Sequence, residues 1–425
     1  MIKAFLDSVK ERFFIITYHF KEEIMRKLKK IVSATLVAAM TMSLLAGCGS
    51  AASSDAEGSS SSGEASSEGA FYIGGIGPTT GEAAIYGTAV MNGAQIAVDE
   101  INAAGGINGY QIEYKFEDDV HDAEKSVNAY NSLKDWGMQM LMGTVTTTPC
   151  IAVAAETAAD GIYELTPSAS STDVIAAGDN VYQVCFTDPN QGVASADYMA
   201  ASSELSGKTI GVLYNSSDVY SSGIYETFVK EAAEKGLNVA YEGSFTADTK
   251  TDFSTQLQAA QAAGVDLLFL PFYYTEASLV FQQASSMGYA PKFFGVDGMD
   301  GILTLEGFDT SLAEGVYLLT PFAADAEDDA TQTFVSTYKE QYGDTPNQFA
   351  ADAYDAIYII KAALEEAGCT PDMSAQDICT ALEGAMTQIT VDGLTGSGMT
   401  WDESGAVSKE PRAVVIENGA YVLAE

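Results

Sequence analysis

A chain of 425 residues has room for two or three domains, and its charge is lopsided: 20 Lys and Arg stand against 59 Asp and Glu, a net charge of -39. Such a surface repels phosphate backbones and anionic headgroups, which excludes nucleic-acid binding and charge-driven membrane binding. Two histidines, His19 and His121, leave little for a Ser-His-Asp hydrolase or a histidine-rich metal site, whereas 47% apolar residues with 22 Tyr and 19 Phe suffice for a large packed core.

The chain opens on a segment of different character. Residues 25–47 combine the basic stretch Met25-Arg26-Lys27-Leu28-Lys29-Lys30 with an apolar run from Ile31 to Leu45. That run is shorter than the roughly 20 apolar residues of a membrane span and reads as a secretory signal. Leu45-Ala46-Gly47-Cys48 resembles a bacterial lipobox, which implies cleavage before Cys48, lipidation of that cysteine and an anchor on the outer face of the bacterial cytoplasmic membrane. Residues 1–24 read as a non-native extension, with translation starting at Met25. Residues 48–70, rich in Ser, Gly, Ala and acids without apolar periodicity, read as a disordered tether of roughly 25 Å root-mean-square span.

From Phe71 onward strands and helices alternate. Phe71 to Ile76 is an apolar run ending in Gly and Pro; Val90, Ala94, Ala97 and Ile101 then recur at helical spacing until Gly105-Gly106 stops them. Ile112, Tyr114 and Phe116 alternate as in a half-buried strand, Asp122 caps a helix carrying Val127, Tyr130 and Leu133, and Met138 to Met142 is the next buried run. Further strands are predicted near Ile162, Val181, Thr209, Val239, Leu267, Phe293 and Val316. Helices are predicted around 149–160, 191–203, 222–235, 252–263, 275–287, 329–342, 347–367 and 374–386, and the last thirty residues read as short antiparallel pieces. This is the pattern of an α/β protein with mainly parallel sheets. The length beyond residue 70 exceeds one core and divides into two doubly wound, Rossmann-like lobes. The expected partition is 71–188 with 321–393 for the first lobe and 189–320 with 394–425 for the second, with crossings near Pro189, Pro321 and Gly393 to Gly398.

Candidate binding residues fall at the C-terminal ends of the predicted strands, where α/β folds place their sites. Gly75, Gly77 and Gly81 follow the first strand, but their spacing does not fit a dinucleotide fingerprint and suits a tight βα turn. In Gly143-Thr144-Val145-Thr146-Thr147-Thr148-Pro149, Thr148 is the expected N-cap with Pro149 at the first helical position. The hydroxyls and free N–H groups at that helix end suit a carboxylate. Thr166-Pro167-Ser168-Ala169-Ser170 closes another strand with small hydroxyls. Tyr220, Tyr273 and Asp297 follow three more strands, and the acid is either a cap or the partner of a cationic group, since a buried unpaired carboxylate costs several kcal/mol.

The segment from Thr80-Gly81 through Asn92-Gly93-Ala94 and Asp99-Glu100-Ile101-Asn102 to Gly105-Gly106-Ile107-Asn108-Gly109 resembles the opening of the leucine/isoleucine/valine-binding protein family, the receptors of branched-chain amino-acid ABC importers. The order of elements is similar from residue 71 to about 417. The resemblance implies a type I periplasmic-binding fold with a central cleft, three hinge crossings and no catalysis. It implies a monomer that hands its ligand to permease and ATPase subunits, needs no cofactor or metal, and touches the membrane through the lipid anchor only. Position by position, it implies a ligand carboxylate at Thr147 beside Thr146, and contacts at Ser168, Ala169 and Ser170. Aromatic walls at Tyr86, Tyr220 and Tyr273, and an ammonium partner in Asp297, where leucine-binding members carry Glu, complete the set. Amides, aromatic acids and other small carboxylates are the alternative ligands, a ligand sensor without transport is the alternative role, and a surface hydrolase is the rival from another class. Cys369 and Cys379 are a candidate disulfide pair, as are Cys150 and Cys185.

Overall fold

The run expected to open the fold forms β1 (Ala70–Gly77), which lies between β2 (Gln111–Asp118) and β3 (Met140–Gly143). With β4 (Tyr163–Thr166) and β5 (Val181–Gln183) they make a parallel sheet in the order β2-β1-β3-β4-β5. Every residue of β3 and β4 is buried, as central parallel strands covered on both faces require. The connecting helices are α1 (Ala84–Ala103), α2 (Ala123–Trp136), α3 (Thr147–Asp160) and the short α4 (Thr172–Ile175). Asp122 caps α2 by accepting from the Lys125 amide, and Gly137 ends it at φ 98°. The computed structural model describes residues 69–424. The signal segment, Cys48 and nearly all of the expected tether lie outside the described residues.

The chain leaves the first sheet through residues 184–187 into α5 (Asp188–Ala201), then alternates through β6 (Thr209–Asn215), α6 (Val219–Lys235), β7 (Asn238–Phe245), α7 (Ser254–Ala262), β8 (Leu267–Leu270), α8 (Tyr274–Ser286) and β9 (Lys292–Gly295). Three short 3-10 turns precede β10 (Tyr317–Thr320). After it α9 (Asp329–Tyr342), α10 (Gln348–Ala367) and α11 (Ala375–Met386) pack back on the first half of the molecule. The contact of α10 with α1 is close enough that a Cβ on Gly93 would sit 2.0 Å from the Ala350 carbonyl oxygen, so only glycine fits there. β11 (Arg412–Glu417) and β12 (Ala420–Leu423) finish a seven-stranded sheet in the order β12-β11-β10-β9-β8-β6-β7, parallel from β10 to β7 and antiparallel at the other edge. The fold is therefore the expected α/β arrangement of two mainly parallel sheets. Among the described residues, no helix is long and apolar enough to cross a membrane.

The chain passes between the sheets three times, and the last passage sits later than the Gly393 to Gly398 stretch suggested. Asp355 of α10 accepts the amides of Leu394 and Thr395 at 2.9 Å each, Trp401 Nε1 donates to the Gln183 carbonyl at 2.8 Å, and Lys409 Nζ reaches the Val184 carbonyl at 3.0 Å. Residues 394–409 are thereby tied to the first half, and the crossing falls at Glu410-Pro411, just before β11. Gly393 serves close packing, since a Cβ on it would lie 2.5 Å from the Asp355 carboxyl carbon, whereas Gly398 is left-handed at φ 62°.

Candidate functional site

Four strand ends of the two sheets converge on one small cavity. Val145, Thr146 and Thr147 reach it from the turn between β3 and α3, Ser168 from the end of β4, and Tyr86 and Phe349 from α1 and α10. Across from them stand Tyr220 from the start of α6, Tyr273 from the end of β8, and Asp297 and Gly298 from the turn after β9. The cavity encloses about 10 Å³, room for roughly one water-sized sphere, so the cleft is drawn nearly shut and anything larger enters only when its walls part.

One wall is polar. Thr146 is the N-cap of α3, two residues earlier than expected, with an extended backbone (φ -112°, ψ 148°), and Thr147 and Thr148 open the helix. Pro149 thus falls at the third helical position, where its missing N–H is again one of the donors a helix leaves without an internal partner. The Thr146 side chain makes no capping bond; its hydroxyl lies 2.9 Å from His121 Nδ1 instead. Ser168 Oγ donates to the Val145 carbonyl at 2.7 Å, so the lone pairs of this hydroxyl remain for a donor. Asp297 is buried, and Tyr220 Oη donates to its Oδ1 at 2.5 Å while accepting from the Gly298 amide at 2.9 Å. Burial pushes the Asp297 carboxyl up to about 6, opposed by the bonds from Tyr220, Gln191 and the Gly298 amide. Among the described residues no lysine, arginine or histidine forms an ion pair with it.

The other wall is aromatic. Tyr220 and Tyr273 stack with ring centroids 4.9 Å apart, Tyr86 meets Tyr273 edge-on at 5.6 Å, and Phe349 lies 4.4 Å from Tyr86. Tyr86 crosses the cleft: its hydroxyl donates to the Gly298 carbonyl and accepts from the Tyr274 amide at 3.3 Å. Tyr274 and Thr275 in turn donate to the Glu82 carbonyl at 2.8 Å each, and Lys250 bridges the Glu82 and Glu276 carboxylates. The arrangement offers acceptors, donors at a helix start, one buried carboxylate without a cation, and a flat apolar enclosure.

A periplasmic binding protein family model matches residues 70–420. The chain belongs to that family. Within it, the chain is similar to substrate-binding proteins of branched-chain amino-acid ABC transporters. The Leu/Ile/Val-binding protein homolog 3 of Brucella melitensis is 29% identical over 338 residues, 79% of this chain and 88% of that protein. The branched-chain amino acid transporter substrate-binding protein of Streptococcus pneumoniae, solved in complex with isoleucine, superposes with a TM-score of 0.75 at 26% identity, covering 84% of this chain and 99% of that one. A solute-binding protein of R. palustris, solved with benzoate, shares the fold with a TM-score of 0.73 at 18% identity, covering 84% and 95%. The family is one of binding proteins rather than enzymes.

Of the residues singled out in the sequence of this binding protein, Tyr86, Thr146, Thr147, Ser168, Tyr220, Tyr273 and Asp297 line the cavity together. Ala169 and Ser170 do not line it. The Ala169 amide bonds Thr166 Oγ1 at 2.9 Å within the loop after β4, and Ser170 Oγ donates to Asp188 Oδ1 at 2.7 Å, beside the first passage between the sheets. Among the described residues the four cysteines are separate buried thiols, so neither expected pair is joined. Cys150 Sγ donates to Glu164 at 3.3 Å and Cys379 Sγ to Glu383 at 3.5 Å, so each sulfur points to a carboxylate on its own side of the core.

Sequence reasoning missed the residues that hold Asp297 in place. Its amide donates to Gln191 Oε1 at 3.2 Å, and Gln348 Nε2 donates to its carbonyl at 2.9 Å. Gln191 lies in the first turn of α5, just after the first passage between the sheets, and Gln348 opens α10; nothing else in the sequence marks them. His121 was noted only as a rarity. Burial lowers its imidazole pKa, with Glu82 and Asp122 opposing and Lys250 adding to the effect, so the ring is neutral at physiological pH.

Proposed function

We propose that the protein captures an amino acid, a branched-chain one in the first instance, between its two halves and delivers it to a permease driven by ATPase subunits. The observation that carries this reading is Asp297: a buried carboxylate, facing a cavity, with no cationic partner among the described residues. A ligand ammonium supplies that charge, with Ser168 Oγ as a second acceptor, and the carboxylate of the same ligand lies against Thr146, Thr147 and the free N–H groups at the start of α3. Tyr86, Tyr220, Tyr273 and Phe349 then enclose an apolar side chain. The halves taken as lobes part at the three passages to admit the ligand and close on it, shifting the population to the arrangement described above. The lipobox at Cys48 supports an anchored, extracytoplasmic location.

A thermal-shift screen of the purified chain against amino acids, amides and aromatic acids tests the reading. A ligand at about a hundred times its dissociation constant adds roughly 2.7 kcal/mol, a shift of a few degrees. Leucine, isoleucine or valine should give it. A shift with benzoate or another acid lacking an amine, and none with any amino acid, would discard the ammonium partner and reassign the cavity to an aromatic acid.

A further inference from the structure

β2 runs out into Asp118-Asp119-Val120-His121-Asp122, where the backbone of Val120 (φ 54°) and His121 (φ 58°) is left-handed. An L-residue adopts that conformation at a cost of roughly 1–2 kcal/mol, and a β-branched one seldom does so. The acids hold the turn in place. Asp118 Oδ1 accepts the amides of Thr79 and Val120 at 2.9 and 3.0 Å, Asp119 Oδ1 accepts the His121 amide at 2.9 Å, and the Asp122 amide returns to the Asp119 carbonyl at 3.0 Å. Strain so firmly braced concentrates where a side chain has to be delivered to one spot.

The side chain delivered is the His121 imidazole. Its Nδ1 lies 2.9 Å from Thr146 Oγ1, and its ring meets Tyr273 edge-on, with centroids 5.6 Å apart at 89°. A second pocket of about 280 Å³ lies on its far side, lined among others by Glu82, Thr148, Asp218, Lys250 and Glu276. Tyr273 lines both spaces, Thr146 the inner one and His121 the outer one. The imidazole therefore forms, with Tyr273 and Thr146, the partition between the closed cavity and a much roomier pocket.

We infer that His121 is a specificity-determining residue: it walls off the outer pocket and so limits the ligand at its carboxyl end. The inference rests on the orientation proposed above, with the carboxylate at Thr146 and Thr147. A group attached beyond the carboxyl carbon runs into the imidazole, so free amino acids are admitted and N-alkyl amides or peptides are refused. The outer pocket sets three acids, Glu82, Asp218 and Glu276, against Lys250, so an extension without negative charge is the one that would occupy it once the partition is removed.

Calorimetric titration of the full protein with L-leucine and with L-leucine N-methylamide tests this, using wild type, His121→Asn and His121→Gly. Asparagine and glycine both tolerate the left-handed backbone, so the turn is kept while the ring is lost. Wild type should favour leucine, and both variants should shrink that preference by about tenfold or more, equivalent to about 1.4 kcal/mol. Variants that weaken both ligands by the same factor, or leave the preference unchanged while wild type binds leucine, overturn the inference alone. Loss of the folded state in both variants assigns His121 to the turn and overturns it as well. A wild-type protein that binds neither probe overturns the amino-acid reading and this inference with it.

Discussion

Replacing Asp297 by asparagine should make the free protein more stable and the receptor worse. The carboxyl is raised from 3.8 to about 6 by burial, and its chief compensation is the Tyr220 hydroxyl. At 1.36 kcal/mol per pH unit, that displacement costs the ligand-free fold about 3 kcal/mol at neutral pH. The sign follows from proton uptake. Between 3.8 and about 6 the folded chain binds the proton that the unfolded chain has lost, so the destabilisation is complete above 6 and relieved as pH falls below it. Asparagine keeps the shape and the oxygen that accepts from Tyr220 but carries no charge. Differential scanning fluorimetry at neutral pH should therefore show Asp297→Asn melting several degrees above wild type, and the gap should close towards about pH 4. Leucine affinity, measured by calorimetry, should fall by two to three orders of magnitude, as loss of a buried charge-assisted bond of about 3–4 kcal/mol requires. A variant that melts below wild type, or one that binds leucine undiminished, would refute the reasoning.

Two further substitutions probe one ion pair between the halves and one within the first. Lys250→Met leaves Glu82 and Glu276 facing each other without their cation. Only the Glu82 pair crosses between the halves, and because Lys250 is partly exposed it is worth roughly 0.2–1 kcal/mol, so leucine affinity should drop by up to about fivefold at low salt, with the difference shrinking at high salt. Lys409→Met strands Asp352, whose carboxyl burial already raises to about 6 even with Lys409 Nζ 2.8 Å away. Chemical denaturation should show a loss of about 3–5 kcal/mol, largely regained when Asp352→Leu is added, because an apolar pair replaces a buried ionic one at little cost.

The sheets were legible because their strands are written twice over, as apolar runs and as punctuation. Met140 to Gly143 and Leu267 to Leu270 are wholly buried and end in turn residues, so period and length agree. The cavity wall was legible for a related reason: Thr146, Thr147, Ser168, Tyr273 and Asp297 all sit at or just beyond a strand's C-terminal end. What the sequence concealed depends on contacts between distant segments. Nothing local distinguishes Ser170, which turns to Asp188, from Ser168, which turns to the cavity. Gln191 and Gln348 meet Asp297 only because the starts of α5 and α10 pack against the turn after β9, and residues 394–409 look like a linker until Asp355 and Gln183 are placed beside them. Cysteine spacing carried no information about pairing, since separation along the chain does not set the distance between two buried sulfurs.

The close seat of Ala350 against Gly93 bears on the order in which the chain can be assembled. All five strands of the first sheet precede residue 184, but the helix that covers α1 begins only at Gln348, after five of the second sheet's seven strands, β6 to β10, have been threaded. A nascent or truncated chain ending near residue 320 would possess the strands of its first half and lack the long helix against which α1 packs. The first half cannot mature as a unit ahead of the second; its completion waits on the return of the chain. Fragments cut between the halves should for that reason expose a greasy helix face and aggregate, whereas co-expressed pieces that restore α9 to α11 should recover a soluble fold.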